Sequence, residues 1–143
     1  QQFTELNYNQ CATQEQLSRL VATIRSAVNT YTDVHCPTGS RFLPQRYGLE
    51  EFRIKCYNDE GDCFRQHVDV GDLNSSRRFL AFLFYLNDDY EGGETLFRTP
   101  NKKVVQPMKG NCLIFPPTWQ YPHEGKPVTC GTKYIMSTYL HYV

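Results

Sequence analysis

The segment Arg78–Asn87 limits the possible folds more than any other part of the chain, because it has the composition of a β-strand with two apolar faces. Successive side chains of a strand point to opposite sides of the sheet. One side would carry Phe79, Ala81, Leu83 and Tyr85, and the other Leu80, Phe82, Phe84 and Leu86. A strand that is apolar on both sides is covered on both sides. We therefore expect one face to line a barrel and the other to meet a helix.

Short segments of strand-like composition fill the chain after residue 50, and turn residues separate them. No helical periodicity interrupts this series. About eight short strands in roughly 90 residues are typical of a sandwich or a double-sheet jelly roll. The predicted strands are Phe52–Tyr57, Phe64–Val70, Arg78–Asn87, Glu94–Phe97, Lys103–Gln106, Asn111–Phe115, Gln120–His123 and Lys133–Tyr139.

One helix is predicted before the strands, from Thr13 to about Asn29. Thr13 and Gln16 have the spacing of a capping box. An apolar stripe of helical period follows, made of Leu17, Leu20, Val21, Ile24 and Val28. Residues 1–12 show no clear period, and 32–48 have the composition of a loop. We expect a single, mainly β domain over residues 1–143, with the helix (about 13–29) packed on the outer face of the major sheet of a barrel (about 50–140).

Charge excludes some classes of partner. Lys+Arg and Asp+Glu each total 15, so the formal net charge is zero. This balance argues against a polybasic protein that binds nucleic acid or a membrane surface. No apolar run approaches the roughly 20 residues of a membrane span. We therefore expect neither nucleic acid nor membrane as a partner, and the sequence does not specify the oligomeric state.

The cysteines bear on the compartment. There are six, namely Cys11, Cys36, Cys56, Cys63, Cys112 and Cys130, and none form a C-x-x-C pair, which disfavours a structural zinc site. An even number permits disulfides in a secreted protein. We favour unpaired thiols in a reducing compartment, and therefore a cytoplasmic location.

His67 and Asp69 are the strongest candidates for chemistry. They lie two residues apart on a predicted strand, so both side chains point to one face and can reach one metal ion. His123, on a later predicted strand, would supply a third ligand. Two histidines and one carboxylate form the facial triad of non-haem iron(II) oxygenases, which leaves three coordination positions open. Taken alone, a histidine beside an acid on a strand is more often a surface pair or a core residue with its hydrogen bonds satisfied.

Lys133 strengthens this interpretation. It lies ten residues after His123 in the apolar segment Lys133–Leu140. A lysine directed into a barrel needs an anionic partner, because an unpaired buried charge is costly. A dicarboxylic cosubstrate is one such partner. The alternative is a lysine at the end of the strand with its ammonium group in water, and the neighbouring triad favours the first interpretation.

The order and spacing of motifs over residues 50–140 resemble the prolyl 4-hydroxylase-like branch of the 2-oxoglutarate/Fe(II) dioxygenase superfamily. The matching segments are Tyr57, His67–Asp69, Tyr85–Asn87, Glu91–Phe97, Pro107–Gly110, Leu113–Phe115, His123–Val128 and Gly131–Tyr134. A match over this whole span is far more specific than any single triplet. The resemblance implies a double-stranded β-helix in which His67, Asp69 and His123 bind iron(II) near one open end.

The resemblance also implies roles for three further residues. Lys133 would pair with the distal carboxylate of 2-oxoglutarate, and Tyr85 would hydrogen-bond near the same carboxylate. Tyr57 would face the metal-binding end of the cosubstrate. For both tyrosines the alternative is a packed ring with its hydroxyl at the rim of the pocket.

The implied reaction is hydroxylation of an unactivated C–H bond with O2, together with decarboxylation of 2-oxoglutarate to succinate. Ascorbate is a candidate further cofactor. Relatives that halogenate lack the carboxylate ligand, so the presence of Asp69 favours hydroxylation. Phe64 replaces a tyrosine and Tyr139 a tryptophan that relatives often carry near the pocket. We therefore expect substrate choice to differ from that of a typical prolyl hydroxylase.

Several substrates and one other class of protein remain open. We expect a peptidyl proline, with a free amino acid, a lysyl residue or another small molecule as alternatives. Lysyl hydroxylases share the His-Glu-Gly-x-Pro-Val stretch but usually carry arginine at the position of Lys133. A non-catalytic jelly-roll module of cupin or lectin type, or an inactive oxygenase domain, would explain the strands. Neither would account for Lys133 together with an intact triad.

Substrate recognition leaves weaker signals. Charged or aromatic loop residues that would form a recognition rim are Arg41, Arg46, Arg65, Arg77 and Trp119. The loops around 36–48, 58–63 and 71–77 are candidate lids, because long loops often cover such sites.

Overall fold

The computed structural model describes residues 3–35, 38 and 42–143. Within these residues the chain forms one α-helix, α1 (Gln14–His35), a short 3-10 turn (Tyr8–Gln10) and twelve β-strands. The strands are β1 (Thr4–Asn7), β2 (Tyr47–Leu49), β3 (Arg53–Tyr57), β4 (Phe64–His67), β5 (Arg78–Tyr85), β6 (Glu91–Gly92), β7 (Thr95–Phe97), β8 (Lys103–Val105), β9 (Cys112–Phe115), β10 (His123–Gly125), β11 (Val128–Cys130) and β12 (Lys133–Tyr142).

Two antiparallel sheets make up most of the structure. The major sheet has the order β1-β3-β12-β5-β9, and β2 also pairs with β12. The minor sheet has the order β4-β10-β7-β8, and β6 and β11 form a separate two-stranded ladder. Side chains from both sheets line one interior cavity. The mainly β architecture with one helix agrees with the expectation from sequence.

Strand β5 is covered on both faces, as its composition predicts. Leu80 and Phe82 belong to the apolar cluster that β5 shares with α1. Ala81, Leu83 and Tyr85 belong to the clusters inside the jelly roll. Phe82 and Tyr85 are each only 1% exposed, so the strand is anchored from both sides.

Helix α1 begins as predicted but ends later. The Thr13 hydroxyl accepts a hydrogen bond from the amide of Gln16 (3.2 Å), and the Gln16 side chain accepts one from the amide of Thr13 (2.8 Å). The predicted end near Asn29 is wrong, because α1 continues to His35. The last turns contain residues of modest helix propensity, but Thr32 is buried and its hydroxyl donates to the carbonyl of Asn29. Burial against the sheet therefore outweighs local propensity.

Several strand boundaries also differ from the predictions. Strand β4 ends at His67 rather than Val70, and β10 begins at His123 rather than Gln120. Strands β1, β2, β6 and β11 were not predicted. Strand β1 is polar and largely exposed, and it pairs with β3 from Thr4–Cys56 to Asn7–Arg53. Backbone pairing at a sheet edge leaves no alternation of apolar residues to detect.

Four of the cysteines, Cys11, Cys56, Cys112 and Cys130, carry free thiols. Cys36 and Arg41 lie outside the described residues, as do parts of the predicted 36–48 lid. No helix in the described ranges has the length and apolar character needed to cross a membrane.

Candidate metal centre

The two central histidines come from neighbouring strands of the minor sheet. Strands β4 and β10 are antiparallel, and His67 pairs directly with His123 across them. Their ring centroids are 4.3 Å apart. Asp69 follows β4 by two residues, and its carboxylate oxygens lie 3.3 Å from Nε2 of His67 and 3.7 Å from Nε2 of His123. The candidate ligand atoms of the three residues all lie within 4.8 Å of one another.

Backbone carbonyls fix the orientation of both imidazoles. Nδ1 of His67 is 2.8 Å from the carbonyl oxygen of Arg65, and Nδ1 of His123 is 3.0 Å from that of Tyr121. A carbonyl oxygen only accepts, so each Nδ1 must carry the proton and donate it. In the neutral form of each ring, Nε2 then keeps a lone pair directed toward Asp69. This is the arrangement in which histidines bind metals, with the second ring nitrogen bonded to a supporting group.

Burial and neighbouring groups shift the pKa values of Asp69 and His123 in the directions that favour binding of a metal ion. The side chains of Asp69 and His123 are each 9% exposed, and that of His67 is 21% exposed. Burial lowers the pKa of His123, so its imidazole is neutral at neutral pH. Burial alone would raise the pKa of Asp69, but the neighbouring side chains of His67 and His123 hold it below its ordinary value. The donor set of two imidazoles and one carboxylate fits a first-row divalent metal ion such as Fe(II).

Arg78 and Tyr139 lie next to Asp69. The sequence did not mark Arg78 as part of the site. Nη1 of Arg78 donates to the carbonyl oxygen of Asp69 (3.1 Å), while its other nitrogens donate to both carboxylate oxygens of Glu50 (2.7 and 2.9 Å). The guanidinium group lies 4.1 Å from the ring centroid of Tyr139. Burial and the charge of Asp69 raise the pKa of Tyr139. The contacts of Arg78 fix the backbone that presents the carboxylate.

Lys133 lies deep in the same cavity. It pairs with Tyr57 across β12 and β3 and is 1% exposed. Its Nζ donates to the carbonyl oxygen of Gly93 (2.6 Å) and lies 5.1 Å from the ring centroid of Tyr57. Burial lowers the pKa of Lys133 to about 8. The ammonium group therefore faces the interior with one neutral acceptor and two further N–H donors.

The Glu91–Thr95 segment shapes the space around Lys133. Gly92 and Gly93 have φ angles of 73° and 69°, which L side chains rarely adopt. A Cβ at Gly93 would also lie 3.1 Å from Cδ of Lys133. Glycine at this position therefore lets the backbone carbonyl approach the ammonium group.

Of the two tyrosines singled out from the sequence, one lines the cavity and one lies behind it. Tyr57 lines it and is 3% exposed, and burial raises its pKa. Tyr85 is buried next to Thr95, with 2.7 Å between their hydroxyl oxygens, and burial raises its pKa to about 12. Thr95 is the member of this pair that lines the cavity. Sequence analysis missed Thr95, although it lies within the Glu91–Phe97 motif.

The structure separates the expected pocket residues from the expected rim. Phe64 and Tyr139, the two departures from the family pattern, both line the cavity. Trp119 is 77% exposed. Arg46, Arg65 and Arg77 are exposed and do not line the cavity.

Comparison with known families places the chain. A family model described as the 2OG-Fe(II) oxygenase superfamily matches residues 52–141. A protein named putative prolyl 4-hydroxylase, from Acanthamoeba polyphaga mimivirus, is 32% identical over 103 residues, which are 66% of this chain and 40% of that protein. Mouse procollagen-lysine,2-oxoglutarate 5-dioxygenase 1 is 40% identical over 108 residues, which are 73% of this chain and 14% of that protein. The chain thus spans well under half the length of these relatives.

Solved structures of prolyl hydroxylases share the fold. A prolyl hydroxylase from Trichoplax adhaerens, in complex with a hypoxia inducible factor peptide fragment, superposes with a TM-score of 0.74 at 18% identity, covering 97% of this chain and 61% of that chain. A viral collagen prolyl hydroxylase from Paramecium Bursaria Chlorella virus-1, in complex with 2OG, gives 0.73 at 23% identity, covering 99% and 79%. These likenesses confirm the expected double-stranded β-helix. Since the family model matches more than half of its residues, the chain belongs to the 2OG-Fe(II) oxygenase superfamily.

Proposed function

We propose that this chain is the domain of an Fe(II)- and 2-oxoglutarate-dependent dioxygenase that hydroxylates a peptidyl proline. One observation carries the proposal: two imidazoles and a carboxylate converge in a cavity that a buried lysine also lines. The candidate ligand atoms of His67, Asp69 and His123 lie within 4.8 Å of one another, and Lys133 lines the same cavity. A metal and a dicarboxylic acid can therefore bind side by side.

At the metal end, His67, Asp69 and His123 would hold iron(II) through two Nε2 atoms and one carboxylate oxygen. Bound iron, with O2 and 2-oxoglutarate, supplies the oxidising power for C–H hydroxylation and yields succinate, and ascorbate would serve as an accessory reductant. A metal held by only these three side chains could also bind the cosubstrate and O2. The protein's own contribution there is to orient the ligands through the carbonyls of Arg65 and Tyr121.

At the deep end, Lys133 would bind the distal carboxylate of 2-oxoglutarate. Its Nζ retains the bond to Gly93 and still has donors for a carboxylate. The Thr95 hydroxyl, held by Tyr85, and the Tyr57 side chain line the same region. The diacid would restore the ammonium character of Lys133, because an adjacent carboxylate favours the charged form.

Apolar side chains would exclude water near the metal. The Phe64 ring centroid lies 3.6 Å from that of His67, and the Phe115 centroid lies 4.9 Å from that of His123. Both phenylalanines line the cavity. A dry site strengthens charge interactions and limits side reactions.

The relatives support a peptidyl substrate, and their names give two candidates for the residue that is hydroxylated. The mimivirus relative is named a prolyl 4-hydroxylase, and the Trichoplax structure contains a peptide fragment. These names favour a peptidyl proline. A lysyl residue is the second candidate, because procollagen-lysine dioxygenase 1 is 40% identical over the shared segment. The lysine at position 133 favours proline, because lysyl hydroxylases usually carry arginine there.

Turnover on a substrate panel tests this proposal. Protein supplied with Fe(II), O2, ascorbate and 2-oxoglutarate should form succinate fastest with proline-rich peptides, and those peptides should gain one oxygen atom by mass. Lysyl peptides and free amino acids complete the panel, and His67→Ala serves as the inactive control. Succinate coupled only to lysyl peptides would reassign the substrate. Absence of succinate with every substrate, in folded protein that retains iron, would contradict the proposal and favour a binding module.

A further inference from the structure

Lys55 is a second lysine in the cavity and has no role in the function proposed so far. It lies on β3, two residues before Tyr57, and its side chain is 13% exposed. It lines the cavity together with His67, Asp69 and Lys133. The rings of Phe3 and Phe64 lie 5.5 and 5.4 Å from its Nζ. An ammonium group in such surroundings needs an acceptor, because burial penalises its charge.

The protein offers Lys55 weak acceptors only, within the described residues. Its Nζ is 3.4 Å from the Ser137 hydroxyl oxygen, a long hydrogen bond. The nearest carboxylate oxygen in an ion pair belongs to Glu5 at 3.9 Å, beyond hydrogen-bond distance. Burial lowers the pKa of Lys55, and the charges of Glu5 and Asp69 oppose that shift. Donor capacity directed into the cavity is therefore left for a ligand.

The strand register places Lys55 between Lys133 and the metal centre. Lys133 pairs with Tyr57, and Ile135 pairs with Lys55, so Lys55 lies one inward-facing step further along the sheet. That step is roughly 7 Å, twice the rise per residue of a strand. Further along the same inward row of β12 comes Tyr139, whose pKa responds to Asp69. Lys55 is therefore nearer the metal end than Lys133.

We propose that Lys55, assisted by Ser137, binds the carboxylate adjacent to the 2-oxo group of 2-oxoglutarate. This inference rests on the proposed function. A five-carbon diacid is about as long as the step between the two lysines, so one ammonium group would meet each end. Lys133 would recognise the distal carboxylate, while Lys55 would neutralise the carboxylate that also approaches the metal. The cavity would select diacids by holding them between two cations.

Two analogues that each lack one carboxylate separate the two lysines. In 2-oxopentanoate the distal carboxylate is missing, and in 4-oxopentanoate a methyl group replaces the carboxylate adjacent to the oxo group. Affinities of 2-oxoglutarate and both analogues for the anaerobic Fe(II)-loaded protein would be measured by calorimetry. Lys55→Met, Lys133→Met and the exposed control Lys103→Met would be compared with the unchanged protein.

Opposite patterns are expected for the two lysine variants. Lys55→Met should weaken the binding of 2-oxoglutarate and of 2-oxopentanoate about tenfold or more, as expected for a lost charge-assisted hydrogen bond. The affinity for 4-oxopentanoate should not change. Lys133→Met should weaken the binding of 2-oxoglutarate and of 4-oxopentanoate, and the affinity for 2-oxopentanoate should not change. Lys103→Met should change none. Ser137→Ala should reproduce the Lys55 pattern at about threefold.

Several results would overturn the inference. Unchanged binding of 2-oxoglutarate and 2-oxopentanoate by folded Lys55→Met would remove Lys55 from the cosubstrate site, and loss of peptide binding alone would assign it to the substrate. If Lys55→Met does not fold, Lys55→Gln and Ser137→Ala provide the same comparison, and equal binding of all ligands by both contradicts the inference. Failure of the unchanged protein to bind 2-oxoglutarate would instead contradict the proposed function.

Discussion

The two sheets of the jelly roll differ in length, covering and chemistry. The major sheet contains strands of eight and ten residues, β5 and β12, and α1 covers its outer face. The four strands of the minor sheet are three or four residues long, and the β4–β10 register shifts between His123 and Gly125. The minor sheet nevertheless supplies His67 and His123, while the major sheet supplies Lys133.

This difference indicates that the two sheets have different roles in stability and in metal binding. A long, doubly covered sheet folds without help from a ligand, because apolar burial stabilises it. A short sheet with an irregular register depends more on contacts outside its backbone pairing. A metal ion bound by His67, Asp69 and His123 would cross-link β4, β10 and the segment after β4. We infer that the major sheet contributes most of the stability and that a bound metal would add stability mainly to the minor sheet.

The largest expected effect is the loss of stability that follows a substitution in the core beside the major sheet. Phe82 is 1% exposed and lies in the cluster between β5 and α1. Phe82→Ala should lower the free energy of unfolding by about 3–5 kcal/mol, because it leaves a cavity in the core. Denaturant unfolding of metal-free protein measures this loss. The control Val104→Ala, on the exposed strand β8, should cost less than about 0.5 kcal/mol. Equal losses for the two variants would break the comparison.

The next effect falls on the minor sheet and concerns metal affinity rather than folding. His67→Ala should weaken Fe(II) by about 100-fold or more, since even outer supports of metal ligands contribute 10- to 100-fold. The unfolding free energy of the metal-free protein should change by less than about 1 kcal/mol, because His67 is partly exposed. Anaerobic calorimetry and denaturant unfolding measure the two quantities. His35→Ala, on an exposed histidine of α1, is the control. Unchanged iron affinity in His67→Ala would refute the ligand assignment.

Metal binding itself should stabilise the two sheets unequally. At about 100 times the dissociation constant, a metal ion adds roughly 2.7 kcal/mol to the unfolding free energy. Hydrogen exchange should show increased protection mainly in β4 and β10, with little change in β5 and α1. Uniform protection of both sheets would show that they unfold as one unit, and the proposed difference between their roles would be wrong.

The smallest expected effect is a pH dependence of 2-oxoglutarate binding, which arises from Lys133 on the major sheet. Burial lowers the pKa of Lys133 to about 8 in the ligand-free protein. 2-Oxoglutarate needs the ammonium form, which is present below that pKa and lost as the pH rises through it. The dissociation constant should therefore increase above pH 8, by up to about tenfold per pH unit. Calorimetry between neutral pH and pH 9.5 measures this. Lys133→Arg stays charged and should weaken the dependence; an unchanged profile would exclude Lys133 as its source.

Sequence patterns predicted the features that local periodicity or a fixed motif encodes. The two faces of β5, the start of α1 and the shared direction of His67 and Asp69 follow from spacing along the chain, whereas His123 was added through the resemblance to a family motif. Strand β1 and the end of α1 did not follow, because they depend on pairing and burial against distant residues. Likewise, Arg78 and Lys55 acquire significance only when Asp69 and Ser137 come near them. No local pattern encodes such contacts.

The most direct test is the visible absorption of the anaerobic protein on addition of Fe(II) and 2-oxoglutarate. A 2-oxo acid chelated to ferrous iron gives a charge-transfer band that neither component gives alone. The folded protein should develop this band, saturating at one iron per chain, and His123→Ala should not. A folded protein without the band, or a His123→Ala variant that keeps it, would show that these three side chains do not bind the metal beside the cosubstrate.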